Sequence, residues 1–252
     1  MNLLASVRKE LFEQWRTYRL LILVIVMAVW AMLSPLGAKY MSQIVTGLAG
    51  DQFANLVPTE STIMDAIAQY VKNLPMWGIL LALLLTMGSV AAEKEKGTAA
   101  LMLVKPLSRA SFLAAKFLAL GLAFLLSVVV AALISYLYTL ILFGPMEVGP
   151  WVALNGLMWL EMLLTGAVTL LLSTLLRSQA AAAGLCLFGI LLVNVIGGLP
   201  KLGEAMPSQL TTWGTSLFTA QPVTAWPAFF VSLGLIVASL VVAWIVFEKQ
   251  EL

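Results

Sequence analysis

The chain has 252 residues and a composition far from that of a soluble globular domain: 62% of its residues are hydrophobic, 10% are charged, and the mean hydropathy is +1.01. It contains one cysteine, Cys186, and no histidine, which excludes His-ligated haem, His or multi-Cys zinc sites and His-activated nucleophiles. We therefore expect no metal site. The net charge of +2 does not indicate a nucleic-acid partner, because a few basic residues beside anionic lipid account for it.

Residues 1–19 form the first predicted element, an amphipathic helix. Its apolar side chains recur every three or four residues, at Leu4, Val7, Leu11, Trp15 and Tyr18. Basic and aromatic side chains suit the boundary between lipid and cytoplasm, and the candidate anchors are Arg8, Lys9, Trp15 and Arg16. The alternative is a simple positive anchor in front of the first membrane span.

Residues 20–252 are predicted to form a single all-α transmembrane domain. A helix needs roughly 20 apolar residues to cross the hydrocarbon core of a bilayer. Six intervals nearly free of charge meet this requirement, at about residues 20–36, 74–92, 113–143, 151–176, 180–199 and 227–247.

The distribution of basic residues predicts the orientation in the membrane. With a cytoplasmic N-terminus, every one of the 14 Lys and Arg residues faces the cytoplasm except Lys39, Lys72 and Lys201. An even number of spans places both termini on the same side. We therefore expect a multi-pass protein of the plasma or inner membrane with both termini in the cytoplasm.

Two external segments follow from this topology, residues 37–73 and 200–226. The first contains Thr62-Ile63-Met64-Asp65, a capping-box pattern that predicts the start of a helix on the outer surface. The second is interrupted by several prolines and glycines, which favours short, re-entrant helices covered by protein.

The densest charge cluster lies between the second and third spans, and we call residues 93–112 the cytoplasmic elbow. Thr98 is placed to cap a short helix that Pro106 stops, and Ser108 is placed to cap the third span. Such an elbow could dock on a soluble partner and transmit force to both spans. Its candidate residues are Glu93, Glu95, Gly97, Thr98, Pro106, Ser108, Arg109 and Lys116.

This elbow resembles that of the permease subunits of type-2 ABC transporters, in which a Glu-basic-Glu-x-Gly-Thr segment is followed by Pro and then Lys. The matching residues, in order, are Glu93, Glu95, Gly97, Thr98, Pro106 and Lys116. The resemblance extends to the opening Arg8-Lys9-Glu10-Leu11, the six spans and the broken external segment before the last span. One departure is Ala99-Ala100, where the family often has Leu-Glu. The resemblance implies an exporter-like permease fold of this type.

The resemblance further implies a half-transporter that pairs with a second permease copy or a paralogue, and with two separate ATP-binding subunits. ATP and magnesium would be held by those subunits, because this sequence lacks a Gly-x-x-x-x-Gly-Lys-Ser/Thr phosphate loop. The chain itself is then a transporter subunit, not an enzyme, and binds no cofactor. The expected direction, export, comes from the resemblance alone.

Two polar residues inside the spans are candidates for the transport pathway, Glu161 and Asn194. An ionised carboxylate at mid-membrane costs several kcal/mol unless it is paired, hydrated or protonated. Glu161 could therefore contact substrate or serve as the coupling site of an ion- or proton-coupled secondary transporter, which is the alternative function. Both residues could equally form structural hydrogen bonds between helices. An intramembrane enzyme has little support, because no convincing nucleophile is present.

Overall fold

The computed structural model describes residues 3–49, 61–91, 108–176, 178–199 and 203–249. Every regular element within these ranges is helical, which confirms the all-α prediction. In chain order the elements are α1 (Leu3–Arg16), α2 (Arg19–Ala49), α3 (Ile63–Met87), α4 (Arg109–Phe143), α5 (Val148–Leu175), α6 (Gln179–Gly197), a 3₁₀ turn (Gly203–Ala205), α7 (Gln209–Ser216) and α8 (Trp226–Lys249).

Six helices in the described ranges are long and apolar enough to cross a membrane, as predicted. They are Arg19–Met41 within α2, together with α3, α4, α5, α6 and α8. The longest, α4, has 35 residues, which corresponds to about 52 Å at helical rise.

The first external segment differs from its expected form. The helix that begins after Thr62 does not lie apart on the outer surface but continues through Pro75 to Met87 as α3. Its capping box is present, since the Thr62 backbone N–H donates to Asp65 Oδ2 at 2.7 Å. The apolar stripe of Ile67, Tyr70 and Leu74 is buried and runs directly into the span, so packing holds one continuous helix.

The first span is also longer than predicted, because α2 continues past residue 36 to Ala49 with Pro35 inside it. A proline removes one backbone hydrogen bond, and neighbouring helices allow a long packed helix to tolerate that loss. Contacts with α3 support the continuation: Ser61 Oγ donates to the Ala38 carbonyl at 2.8 Å, and Asn73 Nδ2 donates to Ser34 Oγ at 3.2 Å.

The core is formed where α2, α3, α4 and α5 pack together. Leu23, Met27, Tyr70, Phe124 and Leu154 are among its fully buried side chains. A polar contact lies within this apolar cluster, because the Tyr70 hydroxyl donates to Asn155 Oδ1 at 2.6 Å. Buried polar groups require such partners, so this hydrogen bond fixes α3 against α5.

Helix α1 folds back across the N-terminal end of α4, where Val7 packs with Ala115 and Ala119. The turn between α1 and α2 places Tyr18 at a φ of 59°. A residue other than glycine is uncommon in this left-handed conformation, which frequently terminates a helix. It produces the tight reversal that returns the chain to the first span.

Helix α7 lies alongside α5, inside the depth of the spans. Leu210 is fully buried against the α5 side chains Leu157 and Leu160, and Gly214 faces Leu154. Thr211 reaches Glu161, which is about 20 Å along α5 from its first residue at helical rise. The short helix therefore packs beside the middle of α5, which is the position that a re-entrant helix would take, and its place in the membrane stays a prediction.

Candidate functional site

The predicted coupling residues of the cytoplasmic elbow fall into two groups. Glu93, Glu95, Gly97, Thr98 and Pro106 lie outside the described residues. Ser108 and Arg109, near the end of the elbow, and Lys116, just after it, are described at the start of α4, and the chain before the elbow is described to Ala91. The contacts at these two ends define how the elbow is attached to the rest of the protein.

Ser108 caps α4, as its position predicts. Its hydroxyl oxygen accepts a hydrogen bond from the backbone N–H of Ser111 at 3.1 Å. One of the otherwise unpaired N–H groups at the start of a helix is thereby satisfied. The helix of the third span therefore begins at Arg109, within the last residues assigned to the elbow and four residues before the predicted start of the span.

Arg109 joins the start of α4 to the end of α8. Its guanidinium donates to the backbone carbonyls of Phe247 and Glu248, at 2.5 and 2.9 Å. The same group lies 5.8 Å from the centroid of the Phe247 ring. The last carbonyls of a helix lack intrahelical partners and carry partial negative charge, so a cation stabilises this helix end.

Lys116 joins α4 to the amphipathic helix. Its ammonium group lies 3.2 Å from Glu10 Oε2, with side-chain exposures of 6% and 13% for the two residues. The ammonium also lies 4.9 Å from the centroid of the Phe112 ring. An ion pair this well shielded from solvent requires close geometry, because each charge has lost most of its hydration. The pair therefore fixes the position of α1 on α4.

Ser173 of α5 holds the end of α3, directly before the elbow. Its hydroxyl oxygen accepts from the backbone N–H groups of Val90 and Ala91, at 3.1 and 3.0 Å. The hydroxyl donates in turn to the Met87 carbonyl at 2.9 Å. The Ser173 residue and both amide donors are buried. One side chain thus satisfies three backbone groups where α3 ends.

Glu161 connects α5 to the re-entrant helix. Its Oε2 accepts a hydrogen bond from the Thr211 hydroxyl at 2.9 Å, and both residues are half-buried. The carboxylate therefore has a polar partner from another element, which reduces the cost of its position within a span. This geometry agrees with the structural interpretation of Glu161.

Glu161 belongs to a series of polar residues spaced by four along one face of α5, with Thr165, Thr169 and Ser173. We call these four residues the α5 polar stripe. Thr169 contacts Cys186 of α6, with its hydroxyl 3.1 Å from the sulfur. The stripe therefore touches α7, α6 and the end of α3 in turn. Its spacing is the sequence signal that could have identified Ser173, which was not predicted.

Asn194 lies on an exposed face of α6. Its side-chain amide donates to the Ile190 carbonyl of its own helix at 3.0 Å. Only Ala182 and Cys186 are buried among the α6 residues, so most of this span is uncovered. Among the described residues, no hydrogen bond joins the two pathway candidates.

The predicted interfacial residues Arg8, Lys9, Trp15 and Arg16 are all exposed on α1. Lys9 lies 3.7 Å from Glu10, which also pairs with Lys116. Exposed basic and aromatic side chains on a helix that packs across a bundle end are typical of a membrane-surface helix.

Six candidate spans, with α1 packed across one end and the short α7 packed against α5, define a polytopic helical membrane protein. Residues 4–252 match the sequence pattern of the ABC-2 family transporter proteins, so the chain belongs to that family. It is also similar to the uncharacterized transmembrane protein YxlG of Bacillus subtilis (strain 168), with 28% identity over 185 residues, 72% of this chain and 70% of the relative. The resemblance of the chain to type-2 ABC permeases is thereby confirmed at the level of the family.

Proposed function

We propose that the chain is the permease subunit of an ATP-driven exporter and that ATP-binding subunits act on it through the cytoplasmic elbow. The family match supports the permease role. The observation that carries the coupling proposal is the attachment of both elbow ends: Ser173 holds the segment that leads into the elbow, and Arg109 holds the segment that leaves it. A load on the elbow would reach α5 and α8 as well as α3 and α4.

The ATPase reaction belongs to partner subunits in this proposal. Two ATP-binding subunits would hold ATP and magnesium, and this chain would bind no cofactor of its own, since its sequence lacks the phosphate loop that cradles nucleotide. Proteins of the ABC-2 permease family generally work with such subunits. The elbow's mixture of acidic and basic residues gives it complementary charge for docking on a soluble protein.

A second permease, either another copy or a paralogue, would cover α6. Asn194 leaves a polar amide exposed on a span that otherwise presents apolar side chains. Gly184 is also exposed on this helix, and an added methyl group would meet no other atom within 4 Å. Small and polar residues on a span favour contact with another helix over contact with lipid. The transport pathway would then run between the two permeases.

The orientation proposed for the chain is the one that places α1 and both termini in the cytoplasm. Arg109 and Lys116 contact α8 and α1 at one end of the bundle, together with most of the basic residues. Lys39 lies at the other end, 5.1 Å from the centroid of the Phe143 ring. Such asymmetry favours a cytoplasmic basic end.

Charge reversal in the elbow tests the proposed coupling. The E93K/E95K double variant should lose ATP-binding subunits on co-purification in mild detergent, or hydrolyse ATP without transport, because the docking surface would carry the wrong charge. E147K is a matched control, since Glu147 is exposed where α5 begins, at the far end of the bundle. Normal assembly with coupled transport in E93K/E95K would reject the elbow as the docking site.

Glu161 distinguishes the exporter from the alternative secondary transporter. E161Q keeps a carbonyl oxygen that can accept from Thr211 but removes the ionisable group, whereas T211V removes the donor. If Glu161 serves only to hold α7 through the hydrogen bond from Thr211, transport should be near normal in E161Q and impaired in T211V. The reverse pattern, with normal assembly and transport that no longer depends on a proton or ion gradient, would support the secondary transporter.

A further inference from the structure

A shallow groove runs between α1 and α4 on the membrane-facing side of the bundle. Its volume is about 490 Å³, and its walls include Phe12 and Trp15 of α1 and Leu122 and Leu126 of α4. Arg8 is the one charged residue among those that line the groove, whose surface is otherwise almost entirely apolar. The groove is therefore an apolar surface between α1 and a membrane span, with a single cation of α1 beside it.

Arg8 makes no hydrogen bond or ion pair with any other residue of the described chain. Its acidic neighbour on α1, Glu10, is engaged by Lys116 at 3.2 Å and by Lys9 at 3.7 Å. An exposed guanidinium is a rigid fork of donors that matches the oxygen atoms of a phosphate group. The charge at this end of the groove is thus complementary to an anion that the protein itself does not provide.

The apolar part of the groove requires an occupant that enters from the bilayer. Leu122 and Leu126 lie within the α4 span and are 48% and 47% exposed, whereas Phe12 and Trp15 lie on the surface helix and are 61% and 59% exposed. A partner that fits must carry an anionic group at the membrane surface and a hydrocarbon chain below it. A membrane phospholipid has both parts in this order.

We propose that this groove is a binding site for one anionic phospholipid, with the phosphate on Arg8 and an acyl chain between α1 and α4. The site would hold α1 against the membrane through a bound molecule in addition to general attraction to the surface. The inference is independent of the proposed transport function and of which membrane side carries α1.

Lipid retention measured by native mass spectrometry tests the site. The intact chain, with any subunits that co-purify, is taken from nanodiscs containing equal amounts of phosphatidylglycerol and phosphatidylcholine with identical acyl chains. We expect one phosphatidylglycerol molecule to remain bound, and R8Q to weaken its retention about tenfold, as loss of a charge-assisted hydrogen bond predicts. R16Q is the matched control, because Arg16 carries the same charge on the same helix and is not part of the groove wall.

A second pair of variants tests the apolar part. L126W should fill the groove and reduce retention of the lipid, whereas L137W should leave it unchanged, since Leu137 is a similarly exposed leucine elsewhere on α4. Equal retention in R8Q and the wild type would overturn the proposal. Equal losses in R8Q and R16Q would also overturn it, because they would indicate nonspecific surface charge, and so would unchanged retention in L126W.

Discussion

Removal of the Ser173 hydroxyl should destabilise the protein far more than removal of a serine that bonds only within its own helix. In S173A, the backbone N–H groups of Val90 and Ala91 lose their acceptor, and both residues are fully buried. An unsatisfied buried donor costs about 1–3 kcal/mol, so two donors set an upper range of about 2–6 kcal/mol. Some relaxation of the turn after α3 will reduce this loss, and we expect at least about 2 kcal/mol.

Ser232 of α8 provides the matched control. It is as deeply buried as Ser173, but its hydroxyl donates to the Ala228 carbonyl of the same helix at 2.7 Å. S232A leaves no backbone donor without an acceptor, so its cost should stay below about 1 kcal/mol. The difference between the two variants separates two contributions to the free energy of unfolding. One comes from holding the end of α3, and the other comes from any buried serine hydroxyl.

The measurement is the free energy of unfolding in mixed micelles, followed by circular dichroism, with amide hydrogen exchange at Val90 and Ala91. We expect S173A to lower the free energy and to accelerate exchange at these two amides, while S232A changes neither appreciably. If the two variants differ by less than about 0.5 kcal/mol and exchange at Val90 and Ala91 is unchanged, Ser173 does not hold the end of α3.

Two further predictions concern packing at the two ends of the bundle. K116M should cost about 1–3 kcal/mol, because it removes the 3.2 Å ion pair of the shielded Glu10 and leaves the longer 3.7 Å contact with Lys9. Adding E10Q should restore part of the loss in a double-mutant cycle, and additive losses would contradict the pairing. G214A should cost about 1–3 kcal/mol, since its added Cβ would overlap Leu154. G156A is the control and should be neutral or stabilising, because its added Cβ would meet no atom within 4 Å. Both are compared with the wild type by thermal unfolding, and equal midpoints for the two variants would contradict the close approach of α7 to α5.

The features that could be predicted from the sequence are those that depend on residues close together in the chain. The Thr62 and Asp65 capping box and the Ser108 cap each join residues three positions apart, and both are present. The six spans follow from runs of apolar residues long enough to cross a bilayer, for which a membrane-spanning helix is the expected structure. The outer helix was misplaced because the sequence identifies its start but does not reveal that packing of Tyr70 and Leu74 carries it unbroken into the membrane.

Contacts between distant parts of the chain could not be predicted in this way. Arg109 was predicted only as a basic residue of the elbow, whereas its acceptors are backbone carbonyls 138 and 139 positions later, which no side-chain pattern marks. Glu161 was recognised as unusual, but its partner Thr211 lies in a segment whose prolines and glycines conceal its fold. The roles of both residues in coupling stay predictions.

The α5 polar stripe connects several of these contacts along a single helix. Ser173 and Glu161 are 12 positions apart on one helix, or about 18 Å at helical rise. One holds the segment leading into the cytoplasmic elbow, and the other holds the re-entrant helix. Because a packed helix moves largely as a rigid element, a displacement at the elbow would reach α7 through α5 without separate movement of each span. Under the proposed coupling, a single force on the elbow would therefore act at both positions along α5.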